Sequence, residues 1–284
     1  MKKTIFLLWL MMGANTAFAQ EHQPKNRIIS AGSSITELLV ALGAKDQLVA
    51  LDVTSKHFNT EQQLPLIGYH RQLSPEGLMA LNPTHLIGSH EMGPDTTLAL
   101  LKSGGVTVQS VPSGDTLPDL FARIDTIAAI TATQDNANEL KRNLKEKLEH
   151  MQARNISHSP KVVFAMLSKG RPATVAGEQT TIDVIIKLAG GENPANKEMS
   201  SYKPLSQEAI VNMQPEYLLV THRDWNKLGG KQGIIKEYPL LIATPAAVND
   251  RIIPVNGSAI IGGLGIESLT LADKLYQNFT QAKL

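Results

Sequence analysis

The stretches SPEGLMALNPTHLIGSH (Ser74–His90) and SQEAIVNMQPEYLLVTH (Ser206–His222) decide the architecture. They align without gaps, 132 positions apart. Ser74 matches Ser206, Glu76 matches Glu208, Pro83 matches Pro215 and His90 matches His222. Leu78 and Leu81 face Ile210 and Met213, and two apolar strands follow in register. Each copy reads as a short helix opened by Ser, a turn marked by Pro and a buried strand.

The order of elements around each copy is shared too. Upstream, RIISAGSSITELLVALGAKDQLVALDV (Arg27–Val53) opens with an apolar run that AGSS interrupts. Ser33 or Ser34 can cap a helix carrying Ile35, Leu38, Leu39 and Leu42 on one face, Gly43 ends it, and LVALDV is the next strand. This β-α-β punctuation implies a parallel sheet. After Pro160 the pattern restarts with KVVFAML, and ATVAGEQTTIDVIIKLAGG (Ala173–Gly191) parallels IISAGSSITELLVALGA (Ile28–Ala44).

Between the halves, Leu117 to Arg154 holds no Gly and only an early Pro, with Leu120, Ile124, Ile127, Leu140, Leu144, Leu148 and Met151 at helical spacing. It reads as one long helix or two nearly continuous ones. A helix of ~35 residues spans roughly 50 Å and would serve as a strut. The expected fold is therefore α/β: two similar parallel-sheet α/β lobes joined by one long rigid helix, with the ligand cleft between the lobes. The expected boundaries are residues 20–116, 117–156 and 157–284. Loops after the strands, SHEMGP and HRDW, should face the cleft.

The first residues read as a secretory signal: Lys2 and Lys3, the apolar TIFLLWLMMGA, then AFA at Ala17–Ala19 as a cleavage site. Cleavage would leave Gln20 first and turn the formal net charge of +1 slightly negative. The chain has no Cys, hence no disulfide and no cysteine to lipidate at that site. These features point to a soluble protein of a Gram-negative periplasm. Without basic runs, nothing suggests nucleic acid.

No G-x-S-x-G, P-loop, dinucleotide fingerprint or Cys nucleophile is present, and no two histidines have helical metal-ligand spacing. An enzyme is poorly supported. The glycine-rich GGLGIES (Gly262–Ser268) suits a close backbone approach to a flat apolar ligand or to the other lobe.

Tyr69-His70-Arg71 lies just ahead of the Ser74 helix. In most proteins a loop Tyr merely covers apolar surface. A phenolate is also a hard anionic donor suited to ferric iron, and Tyr is an axial haem ligand. Free Tyr ionises near pH ~10, so binding needs help. Two residues on, in an extended loop, Arg71 shares Tyr69's side of the chain and could stabilise the phenolate. His70 would point the other way. His90 and His222, at strand ends, could reach a ligand or stay solvated. Glu76 and Glu208 occupy first turns of equivalent helices, where an acid favours the helix dipole.

These residues resemble the class III periplasmic binding proteins of ABC importers, and most of all bacterial haem-binding members. The resemblance covers nearly the whole mature chain. GY-x-R-x-L-S-P-E is its more specific haem signal; the lobe pattern is shared with cobalamin and siderophore binders. The resemblance implies Tyr69 as axial ligand to the iron of haem b, supported by Arg71, and Glu76 and Glu208 as acids docking onto arginines of an inner-membrane permease dimer with its ATPase. An outer-membrane haem receptor would act upstream. Some members carry a second-lobe His ligand, but FAMLSKGRPATVAG (Phe164–Gly177) has none, which leaves five-coordinate iron or a substitute such as His222 or His90. Lys169 and Arg171 are candidate contacts to haem propionates, although a solvated loop is the plainer reading. The rivals are a ferric siderophore or cobalamin binder and a secreted metal- or haem-dependent enzyme.

Overall fold

The computed structural model describes residues 25–61, 63–154 and 157–281, so the signal expected at residues 1–19 lies outside the described residues. The N-terminal lobe comprises β1 (Ile28–Ala31), α1 (Ser33–Ala41), β2 (Leu48–Leu51), α2 (Pro75–Met79), β3 (His85–Ser89), α3 (Asp95–Ser103) and β4 (Thr107–Val111). Its strands lie in the order β2-β1-β3-β4, all parallel. β1 is buried at every position, as a central strand covered on both faces must be. The cap of α1 is Gly32 rather than Ser33 or Ser34. Its φ of 127° suits glycine, and both serines are buried in the first turn.

The connection is two helices, not one rod: α4 (Leu117–Thr131) and α5 (Gln134–Gln152). Ala132 between them is left-handed, at φ 57°. Lys141 pairs with Asp125, sixteen residues back, a separation of roughly 24 Å along one straight helix. The chain therefore turns sharply, and each helix docks separately. α4 buries Leu120, Ile124 and Ile127, while α5 buries Leu144 and Met151. No glycine marks the break. Thr131 and Thr133, whose hydroxyls meet at 2.8 Å, flank it instead.

The C-terminal lobe comprises β5 (Val162–Met166), β6 (Ala173–Ala176), α6 (Thr181–Leu188), β7 (Tyr202–Leu205), α7 (Gln207–Asn212), β8 (Tyr217–Thr221), α8 (His222–Leu228), α9 (Gly230–Glu237), α10 (Pro245–Val248), β9 (Ile252–Val255) and α11 (Ile266–Gln281). Its strand order is β7-β6-β5-β8-β9. The sheet is mixed rather than parallel throughout, because β6 runs antiparallel to both neighbours. Residues 167–172 are too few for a parallel crossover, which needs a dozen or more, so β5 and β6 form a hairpin.

The repeat holds at the backbone. Ser74 and Ser206 both occupy N-cap positions, and Leu78 and Ile210 are both buried. Asn82 and Gln214 both take φ 48°. Thr84 and His85 donate backbone bonds to the Arg27 carbonyl, as Glu216 and Tyr217 do to Lys161. That registers β5, not β6, with β1: the Ala-Gly likeness between Ile28–Gly32 and Ala173–Gly177 pairs strands in different sheet positions.

One apolar core runs through both lobes, from Leu38 and Ile87 through Ile124 and Leu144 to Phe164 and Leu219. GGLGIES locks the lobes together. The Leu264 amide donates to the Gly114 carbonyl, and a side chain at Gly263 would collide with that same carbonyl. Glu37 accepts from the amides of Ile266 and Glu267 at the start of α11, while buried Arg123 donates to the Leu264 carbonyl. The close approach expected of this glycine segment is made to the other lobe, and Gly262 and Gly263 also line the cleft.

Candidate functional site

A cleft of about 740 Å³ opens between the lobes. Ser89 ends β3, Met166 ends β5 and Thr221 ends β8, and all three line it. The cleft therefore sits at the carboxyl ends of parallel strands, where open α/β sheets bind ligands. Its lining mixes apolar groups, such as Met166, Tyr202, Ile260 and Ile261, with a few charged ones.

Arg71 lines the cleft, while Tyr69 stands outside the lining, 40% exposed. Their loop is pinned at both ends. Val53 donates to the Gly68 carbonyl (2.9 Å), and Gly93 donates to the His70 carbonyl (3.0 Å). Arg71 does not reach for the phenol: its guanidinium pairs with Glu91, which also lines the cleft. That contact holds Arg71 above the usual guanidinium range, chiefly through the Glu91 hydrogen bond. His70 points inward as expected and is buried. Its Nδ1 meets the buried carboxylate of Asp52 at 2.9 Å. Burial alone would raise the Asp52 carboxyl, but hydrogen bonds from His70, Ser55 and Thr54 outweigh it and hold the group below its ordinary range.

Across the cleft the prominent cation is Arg223, whose Nε donates to Asp224 at 3.0 Å. Asp224 is buried and also accepts from the Leu167 amide, so the anchor is firm. In HRDW the sequence pointed to His222 as a possible ligand, but the residue in the cleft lining is Arg223. His222 is exposed and outside the lining, as is His90, whose Nδ1 lies 2.9 Å from Ser113 Oγ. Lys169 is not in the lining either. Arg171 lies in a separate hollow with Glu208 and Glu237, on a turn whose carbonyls accept from the Tyr238 hydroxyl. The hairpin carries that turn away from the cleft. Tyr202, unremarked in the sequence, lines the cleft half-buried; burial foremost, then Asp115, pushes its phenol up to about 12.

Glu76 and Glu208 are both exposed in the first turns of α2 and α7. Glu208 sits below the ordinary carboxyl range, through a bond from its own amide and one from Ser206. Among the described residues neither is ion-paired.

Residues 28–257 match the family model for periplasmic binding proteins. The chain belongs to the periplasmic binding protein family. This is a family of substrate-binding transport proteins rather than of enzymes. The structure is similar to that of the periplasmic haem-binding protein HutB of Vibrio cholerae: TM-score 0.83, 47% identity, covering 89% of this chain and 98% of that one. It is also similar to a periplasmic haem-binding protein from Pseudomonas aeruginosa: TM-score 0.84, 30% identity, covering 91% and 94%. A vitamin B12-binding protein of Vibrio parahaemolyticus is 25% identical over 206 residues, 72% of this chain and 74% of that one. The two-lobed α/β architecture expected from the sequence is that of this periplasmic binding protein family, and among the described residues no helix is long and apolar enough to cross a membrane.

Proposed function

We infer that this periplasmic binding protein captures ferric haem in its cleft and delivers it to an inner-membrane ABC permease driven by its ATPase. The observation that carries the reading is an exposed Tyr on a pinned loop whose next-but-one residue, Arg71, lines the cleft. Tyr69 is the iron ligand and Arg71 the cation beside it. The apolar porphyrin faces suit Met166, Tyr202, Ile260 and Ile261, and Arg223 meets a propionate in place of Lys169 and Arg171. His222 and His90 are the candidates for a second ligand: like Tyr69 they stand just outside the lining, each beside a lining residue, Arg223 and Glu91. Haem b is the cargo, supplied through an outer-membrane receptor after which the secreted chain receives it in the periplasm. Glu76 and Glu208, one exposed acid per lobe on equivalent helices, dock onto basic residues of the permease dimer. The haem-binding relatives at 47% and 30% identity support the cargo.

Cobalamin is the second reading, and the B12-binding relatives favour it. Titrations of the mature protein with ferric haem and with cyanocobalamin, each followed by absorption, separate the two. Haem should saturate at a fixed stoichiometry, and cyanocobalamin should neither saturate nor compete. Saturation by cyanocobalamin that haem cannot displace would sink the haem reading.

A further inference from the structure

His70 sits between the two residues assigned to the cargo, yet it is only 2% exposed. Consecutive side chains of the loop alternate: Tyr69 and Arg71 face out and His70 faces in. Beneath it Asp52 is fully buried. An ionised carboxylate only accepts hydrogen bonds, so His70 Nδ1–H donates to Asp52 Oδ2, at 2.9 Å.

Asp52 is itself held by the core. Its carboxylate accepts from Thr54 Oγ1 at 2.8 Å and from Ser55 Oγ at 2.7 Å. Ser55 in turn accepts from Thr36 Oγ1 at 2.7 Å, and the Asp52 amide donates to the Ser30 carbonyl of β1 at 3.1 Å. His70 is thus tied through satisfied polar groups to the central strand of the sheet. A buried network of this kind fixes one geometry. At its upper end the His70 ring meets the Tyr69 ring, centroids 4.5 Å apart. The Glu91 carboxylate, already paired with Arg71, lies 3.7 Å from His70 Nε2. One buried imidazole therefore touches the phenol ring on one side and faces the partner of the guanidinium on the other. An apolar residue would staple the loop without the cost of burying a carboxylate.

We propose that the buried Asp52–His70 pair is the positioning element of the ligand loop, setting the Tyr69 ring and the Arg71–Glu91 pair in the geometry that presents phenol and guanidinium to the cargo together. The proposal rests on the reading of Tyr69 as the iron ligand. Asp52 and His70 touch no cargo. They act through the two residues that do.

The test uses the mature chain, ferric haem as the probe, and four variants: His70→Phe, His70→Asn, Asp52→Asn and Tyr69→Phe. Phe keeps a ring against Tyr69 but has no donor for Asp52. Asn places an N–H near the position of Nδ1. Affinity comes from titration, and geometry from the phenolate-to-iron charge-transfer band and the iron–phenolate stretch at saturating haem. His70→Phe should weaken binding about tenfold or more, the scale of one lost charge-assisted bond, and shift the band. His70→Asn should recover most of both, which a purely structural role would not require. Unchanged affinity and band in His70→Phe, or an Asn variant no better than the Phe one, overturns the proposal. Should His70→Phe fail to fold, as judged by circular dichroism, Asp52→Asn decides: the proposal requires a shifted band, and an unchanged one overturns it. A band that survives in Tyr69→Phe overturns the ligand reading instead.

Discussion

Tyr69 and Tyr202 stand at nearly the same place in the two copies of the repeat, five residues before Ser74 and four before Ser206. Their surroundings differ. Tyr69 sits on an irregular loop and is 40% exposed. Tyr202 begins a strand, packs edge-on against buried Phe164, and has its phenol pushed up to about 12 by burial and Asp115. A buried phenol offers a flat, weakly polar wall, while an exposed one stays open to a ligand. Duplication supplied the scaffold twice. The segment just ahead of each helix, loop in one lobe and strand in the other, sets which tyrosine is exposed and which is packed.

The lobe comparison can be broken or sharpened by stability measurements. The largest effect belongs to Arg123, which fastens the N-terminal lobe to the segment entering α11 and donates to the carbonyls of Pro112, Gly114 and Leu264. Arg123→Met should cost about 3–5 kcal/mol in urea unfolding, because it strands three carbonyl acceptors at the lobe junction, each costing about 1–3 kcal/mol when left unpaired. A loss under about 1 kcal/mol would mean that the lobes are fastened elsewhere. Next come Leu78→Ala and Ile210→Ala at equivalent buried positions, each expected to cost about 2–5 kcal/mol. A large loss at one and none at the other would break the equivalence.

Glu37 is a buried acid that reaches the amides entering α11. Burial raises its carboxyl to about 7, against bonds from the Glu267 and Ile266 amides that lower it. Between about pH 4.5 and 7 the folded chain holds a proton that the unfolded chain has lost. This contribution is therefore full below the unfolded value and lost as pH rises through the folded one. Relative to Glu37→Gln, which cannot titrate, the native protein should lose about 3 kcal/mol between pH 4.5 and 8. A difference independent of pH would refute the coupling. The smallest contrast is at the caps. Ser206 Oγ accepts from the Ala209 amide at 3.2 Å, whereas Ser74 makes no such bond. Ser206→Ala should cost about 1 kcal/mol and Ser74→Ala under about 0.5 kcal/mol in the same assay.

Much of this was readable in the sequence because it is local. Ser-x-Glu, the apolar spacing and the Pro after each helix mark a unit whose backbone recurs down to the left-handed Asn82 and Gln214. GGLGIES announced a close approach, and the opposing lobe supplied it. The helix break was hidden because Ala132 carries no glycine or proline signal. The antiparallel β6 was legible but missed: the six residues between two strands already forbade a crossover. The site's supporting residues were invisible for another reason. Asp52 lies eighteen positions from His70, and Glu91 twenty from Arg71, distances that only the fold closes. Arg223 was within reach, one residue beyond the histidine that drew attention.

The most direct test is a ferric haem titration of Tyr69→Phe beside Tyr202→Phe, read at the phenolate-to-iron charge-transfer band. The account predicts that Tyr69→Phe loses the band and the saturable binding that goes with it, while Tyr202→Phe keeps the band with modestly weaker affinity. A band that persists without the Tyr69 hydroxyl, or that vanishes with the one on Tyr202, would contradict it.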